Sequence, residues 1–192
     1  VRIGQKVGEE NFKLFLSKIG VLEEIKFDIE EVGKPIKFNW GKCPLATASF
    51  GHGITTTLLQ IAKAYSIIVN GGYKIDPTLI KINKKLKRER IISENVSKKI
   101  LPILRKVVET KEGTASLANV NVYEIGGKTG TAQKSISGSY SKKKINTFVS
   151  VFPTSKPKYV LAIMLDEPKG SKDYIYHYRD GSNIKYKGTP YN

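Results

Sequence analysis

The chain has 192 residues, 40% of them hydrophobic, and a chain of that size buries about 70% of its unfolded surface as one domain. Its single cysteine, Cys43, excludes an internal disulfide and any cysteine-built metal cluster, and no apolar run reaches the roughly 18 residues of a membrane span. The formal charge of +16 comes from 28 lysines and only five arginines against 17 acids, spread along the chain and without interleaved aromatics in the densest cluster, residues 84–90, so solvated faces are expected and a nucleic-acid partner is not.

Val1-Arg2-Ile3-Gly4 opens almost directly into a helical segment without a signal-like stretch, and reads as the start of a piece of a longer chain. Residues 9–19 form a predicted helix with Phe12, Phe15, Leu16 and Ile19 on one core-facing side, stopped by Gly20. Residues 35–48 show little periodicity and are expected to loop across the surface, anchored by Trp40 and Pro44. Ser49, Phe50 and His52 belong to the loop before a second helix. Thr56 or Thr57 opens that helix, Leu58, Ile61, Ala62, Tyr65, Ile68 and Val69 mark its buried stripe, and Asn70-Gly71-Gly72 ends it. A third helix begins after Ser93, with Val96, Ile100, Leu104, Val107 and Val108 at near-helical spacing. Pro102 lies inside it, and a proline there costs about 3 kcal/mol, which predicts a kink or two shorter helices.

Residues 123–134, 145–152 and 159–166 read as strands, joined by connections too short for a parallel crossover and therefore antiparallel. The last two are apolar at nearly every position, which predicts cover on both faces of the sheet. After Pro168 the chain is rich in Tyr and Lys and shows no amphipathic helix. An exposed apolar sheet edge or face is therefore expected.

The most informative stretch is Gly126-Gly127-Lys128-Thr129-Gly130-Thr131-Ala132-Gln133-Lys134, which sets an ammonium and two hydroxyls beside bare glycine backbone on the first predicted strand. Such an edge holds a carboxylate near an acyl group, and glycine lets a ligand come close. Lys-Thr-Gly is the third element of the penicillin-binding protein and β-lactamase motif set. Gly51-His52-Gly53 ahead of Thr57-Leu58-Leu59-Gln60, then Asn70-Gly71-Gly72-Tyr73, then Val107-Val108 with Gly113-Thr114-Ala115, precede it in order. Over residues 1–168 the chain resembles the class B penicillin-binding proteins, most of all the division-specific peptidoglycan D,D-transpeptidases. Leu58 stands where that family usually has proline.

The resemblance implies an α+β, incomplete β-lactamase/transpeptidase-like fold. Its antiparallel sheet is the Lys-Thr-Gly strand plus the two following strands, packed with helices. Residues 1–192 then form a partial transpeptidase domain, lacking the upstream Ser-x-x-Lys and Ser-x-Asn segments and the C-terminal helix. It also implies that Lys128, Thr129, Gly130 and Thr131 bind substrate, with Lys128 and the Thr131 backbone N–H contributing to catalysis, the latter as an oxyanion donor. Peptidoglycan stem peptides and β-lactams are the implied ligands, and division proteins the implied partners. The parent is expected to be anchored in the inner membrane with this portion on the periplasmic side.

Ser-x-x-Lys does occur at Ser139, Ser141 and Ser155, but after the Lys-Thr-Gly and in lysine-rich connections, which reads as chance. Ser93-Glu94-Asn95 matches Ser-x-Asn, yet it directly precedes a helical pattern and reads as a cap. The isolated chain is therefore expected to be inactive. His52 and His177 are too few and too separated for zinc, and neither metal nor cofactor is proposed. A related D,D-carboxypeptidase or β-lactamase, and a non-enzymatic penicillin-sensor module, are the alternatives.

Overall fold

Helices occupy the first half of the chain and an antiparallel sheet the second, in a computed structural model that describes residues 1–29, 36, 38–83, 88–136, 139–169, 175–177 and 185–187. The helices are α1 (Arg2–Val7), α2 (Glu9–Lys18), α3 (Lys42–Ala48), α4 (Leu58–Val69) and α5 (Glu94–Glu109). They are followed by β1 (Gly126–Ile136), β2 (Ser139–Phe152) and β3 (Tyr159–Asp166), hydrogen-bonded in that order and antiparallel throughout. Short strands β4 (Ile175–His177) and β5 (Lys185–Lys187) pair separately as a two-stranded antiparallel sheet. The architecture is the α+β arrangement that the sequence predicts.

Helix α4 sits between two apolar clusters. Thr57 caps it: its Oγ1 accepts the Gln60 N–H at 3.1 Å, while Gln60 Oε1 accepts the Thr57 N–H at 2.6 Å, closing a capping box. Toward the N-terminal segment, Ala64 and Ile67 pack with Ile19 and Ile92. Toward the sheet, Val69 packs with Leu104 of α5 and Val151 of β2. Ile67 and Val151 are fully buried, and each such side chain contributes about 1.5–3 kcal/mol by leaving water. Helix α5 lies against β1 because Gly126 has no side chain: a Cβ there would sit 2.6 Å from Thr154 Cγ2 and 3.0 Å from the Arg105 backbone nitrogen. Arg105 secures that contact by donating from Nη1 to the Ile125 carbonyl at 2.7 Å.

Several expectations need correction. Residues 42–48 are helix α3, not surface loop. Pro44 is compatible with it because it stands in the first turn, where a backbone N–H would have no intrahelical partner. Helix α5 is continuous through Pro102, which is exposed, so the chain does not divide into two shorter helices there. On α2 the predicted core side is mostly half-buried, and Phe15 is exposed; Ile19, just past the helix, reaches the core. The centre of the α4 stripe is Gln60, Ala64 and Ile67, with the predicted residues flanking it except for buried Val69.

Strand β3 has the predicted bounds, whereas β1 starts at Gly126 because the segment before it turns, with Val120 bridged to Tyr123 and the Ile125 N–H donating to the Tyr123 carbonyl. Strand β2 starts at Ser139, since its lysine-rich arm pairs with β1 although it carries no apolar signal. The expected cover on both faces of β3 is not present among the described residues: Leu161, Ile163 and Leu165 on one face and Met164 on the other are 43–55% exposed. No described strand pairs with the far edge of β3, in line with the expected open apolar edge.

Candidate active site

Whether β1 can present a ligand-binding edge depends on which of its backbone groups are free. The Lys144 and Phe152 carbonyls on β2 accept N–H groups from Glu167 and Lys158 on the β3 side. Backbone groups alternate in direction along a strand, so the odd-numbered residues of β2 from 145 to 151 turn theirs toward β1. Their partners are Gly126, Lys128, Gly130 and Ala132. Thr147 Oγ1 at 3.4 Å from the Gly130 carbonyl agrees with that assignment. The N–H and C=O groups of Gly127, Thr129 and Thr131 therefore point away from β2, along the open edge of β1.

Side chains alternate as well. Thr129 and Thr131 share a face with their cross-strand partners Phe148 and Asn146, and with Ile163 and Leu165 beyond them on β3. Lys128 starts from the opposite face, but because β1 is an edge strand its long stem bends round the border, and Nζ donates to the Thr129 carbonyl at 2.8 Å. The ammonium and the two hydroxyls thus converge at one border of the sheet. They line an open cleft of about 470 Å³ together with Thr114, Asn146 and Phe148. Asn146 Oδ1 is buried there without a hydrogen-bond partner among the described residues.

Gly130 gives that border its shape, since a Cβ on it would lie 2.5 Å from Thr147 Oγ1 and force that side chain to turn. At the far end of the strand Lys134 bridges Asp166 at 2.7 Å and Glu167 at 2.8 Å, and the hydrogen bonds its ammonium donates to those two carboxylates raise its pKa. This ion cluster ties β1 to the end of β3 across β2.

The other sequence candidates lie elsewhere. Ser93 caps α5, its Oγ accepting the Val96 N–H at 3.3 Å. Ser139 and Ser141 lie on β2, and hydrogen bonds from the Ser155 side chain and from its backbone N–H, the latter at 2.9 Å, hold the Glu124 carboxyl below its usual range. His52 contacts the Tyr140 hydroxyl and stacks obliquely near Phe50, so the loop before α4 touches the arm of β2. The sequence assigns no site role to the cleft residues Asn146 and Phe148, nor to Thr114, whose Oγ1 accepts a hydrogen bond from Thr129 Oγ1 at 2.9 Å. Thr114 stood only in a matching segment, and nothing in its spacing announces a contact made by a loop folding back.

These features define an α+β domain whose edge strand carries a cation, two alcohols and free amides. The chain matches the model of the penicillin-binding protein transpeptidase domain over residues 1–182 and belongs to that family. It is 31% identical over 180 residues to the probable peptidoglycan D,D-transpeptidase FtsI of Caulobacter vibrioides, covering 88% of this chain and 31% of that protein. To stage V sporulation protein D of Bacillus subtilis it is 34% identical over 187 residues, covering 89% of this chain and 29% of that protein.

Among solved structures, the transpeptidase domain of Burkholderia pseudomallei penicillin-binding protein 3 superposes with a TM-score of 0.81 at 29% identity, over 87% of this chain and 52% of that one. Penicillin-binding protein 3 of Mycobacterium tuberculosis, complexed with aztreonam, gives 0.80 at 27% identity, over 87% and 42%. The chain thus spans about a third of the length of the curated relatives it matches. These names agree with the penicillin-binding protein and peptidoglycan transpeptidase family of the resemblance. No described helix is long and apolar enough to cross a membrane.

Proposed function

We propose that this chain supplies the carboxylate-binding wall and one oxyanion donor of a serine-type D,D-transpeptidase. The observation that carries the reading is the open edge of β1, where Lys128 Nζ, the Thr129 and Thr131 hydroxyls and the outward Thr131 N–H line one cleft. In the reaction, a serine oxygen supplied by a segment outside these residues bonds to the penultimate D-alanine carbonyl carbon of a stem peptide. The peptide C–N bond breaks, and terminal D-alanine leaves with its amine protonated. An amine of a neighbouring stem then attacks the ester, a new amide forms, and the serine regains its proton.

Each residue has a task at that border. Lys128 and the hydroxyls of Thr129 and Thr131 hold the substrate carboxylate, the C=O of Thr129 and N–H of Thr131 align an extended donor peptide as an added strand, and Gly130 keeps the border free of obstruction. The Thr131 N–H also faces the developing oxyanion, and removal of one such donor typically costs about 2.7–4 kcal/mol of transition-state stabilisation. A β-lactam's acidic group is assigned the same place, and the tuberculosis relative, solved as a complex with aztreonam, supports β-lactam binding by this fold. The whole protein is read as held at the inner membrane with this portion on the periplasmic side, acting on peptidoglycan alongside division proteins.

Labelled penicillin tests the reading. The chain of 192 residues is expected to form no penicilloyl adduct. The full-length protein that carries it is expected to form one, and Lys128→Ala there to slow acylation about tenfold, the scale of one charge-assisted hydrogen bond. A gel band on the short chain, or unchanged acylation kinetics in Lys128→Ala, overturns it. Turnover of a stem-peptide donor with and without an amine acceptor separates crosslinking from carboxypeptidase action and from sensing.

A further inference from the structure

The Gly113-Thr114-Ala115 turn is placed with little freedom. Ala115 is buried and its N–H donates to the Val107 carbonyl at 3.1 Å, folding the segment back onto the last turn of α5. Gly113 makes the fold-back possible: a Cβ there would lie 2.1 Å from that same Val107 oxygen. The consequence is that Thr114, between these two anchored neighbours, sets its hydroxyl against Thr129 in the cleft.

We infer that Thr114 is a positioning residue for the carboxylate-binding hydroxyl of Thr129. The inference rests on the role proposed above for that hydroxyl. Thr129 Oγ1 donates to Thr114 Oγ1 over 2.9 Å, which selects one rotamer of a side chain already restricted by its β-branch. When a carboxylate arrives, the Thr129 proton turns to the anion and the Thr114 hydroxyl rotates to donate into the vacated Thr129 lone pair. The oxygens need not move, and the two-link chain polarises Thr129 toward the anion. A hydroxyl held this way acts equally before and during bond making, so it strengthens binding without changing the limiting rate.

The experiment compares a carboxylate-bearing β-lactam with its methyl ester on the full-length protein, resolving apparent dissociation constant and limiting acylation rate. Thr114→Val keeps the shape and removes the hydroxyl. It is expected to raise the dissociation constant for the acid about fivefold, the scale of one neutral hydrogen bond, and to leave the limiting rate and the ester unaffected. Thr114→Ser is expected to restore the acid, and Thr114→Val added to Thr129→Val to cost nothing further. Equal loss for acid and ester, failure of serine to rescue, or additive losses with Thr129→Val overturn the inference while leaving the carboxylate site standing. If Thr129→Val and Lys128→Ala both leave the acid's kinetics unchanged, the site reading falls and takes this inference with it.

Discussion

At the scale of single residues, much of the chemistry follows from where polar atoms find partners. Gln60 is fully buried, yet its amide is satisfied on both sides, donating to the Glu23 carbonyl at 2.6 Å and accepting from the Thr57 N–H. Leucine at this position fits the volume but strands both partners, so Gln60→Leu is expected to lower stability by about 2 kcal/mol, seen as a melting midpoint roughly 4–8 °C lower. An unchanged midpoint would show that water replaces both contacts. The residues of the cleft were legible to different degrees. Lys128, Thr129 and Thr131 stand in a compact string whose residue types name their chemistry. Thr114 and Asn146 do not, because their place in the cleft comes from a turn and from cross-strand register, which a local pattern does not encode.

At the scale of elements, tertiary context overrode local rules where solvent or a partner strand absorbed the cost. Proline interrupts helices by removing a donor, and that argument predicted a kink or two shorter helices at residue 102. Helix α5 is one continuous helix, with Leu104 and Val108 buried beneath it while Pro102 is exposed. The local cost is then still stored in the helix. Pro102→Ala restores a hydrogen bond from residue 102 to the Lys98 carbonyl and is expected to raise stability by about 1–3 kcal/mol in denaturant titrations. A lower midpoint would mean that proline's fixed backbone outweighs the missing bond. Strands β2 and β3 were legible through their apolar, β-branched runs, whereas the lysine-rich arm of β2 was not, since pairing with β1 extends it beyond any hydrophobic signal. Helix α3 was missed for a related reason: at seven residues it is too short for periodicity to register.

At the scale of the whole molecule, the excess of positive charge and the carboxylates that offset it set the response to pH. Asp76 lies under the Lys63 ammonium, Glu94 between Lys98 and Arg90, and Glu167 beside Lys134 and Lys143, and all three titrate below their ordinary values of 3.8 for Asp and 4.5 for Glu. A carboxyl whose folded pKa is depressed adds stability above its ordinary value and loses it as pH falls through the folded one. Lys134 runs the other way: its raised pKa adds stability below 10.5 that disappears as pH climbs through the folded value. Thermal midpoints are therefore expected to be level from about pH 6 to 9 and to fall below about pH 4.5, more steeply at low salt, where the net positive charge repels itself unscreened. Equal midpoints at pH 3 and pH 7 would contradict this.

The outward-facing main chain of β1 also bears on resistance to inhibitors. A molecule that docks there through peptide amides reads a rail made by the polymer itself, and every amino acid but proline rebuilds that rail when the codon changes. Escape from such an inhibitor must therefore come from reshaping what flanks the rail, because heredity offers almost no direct way to delete it.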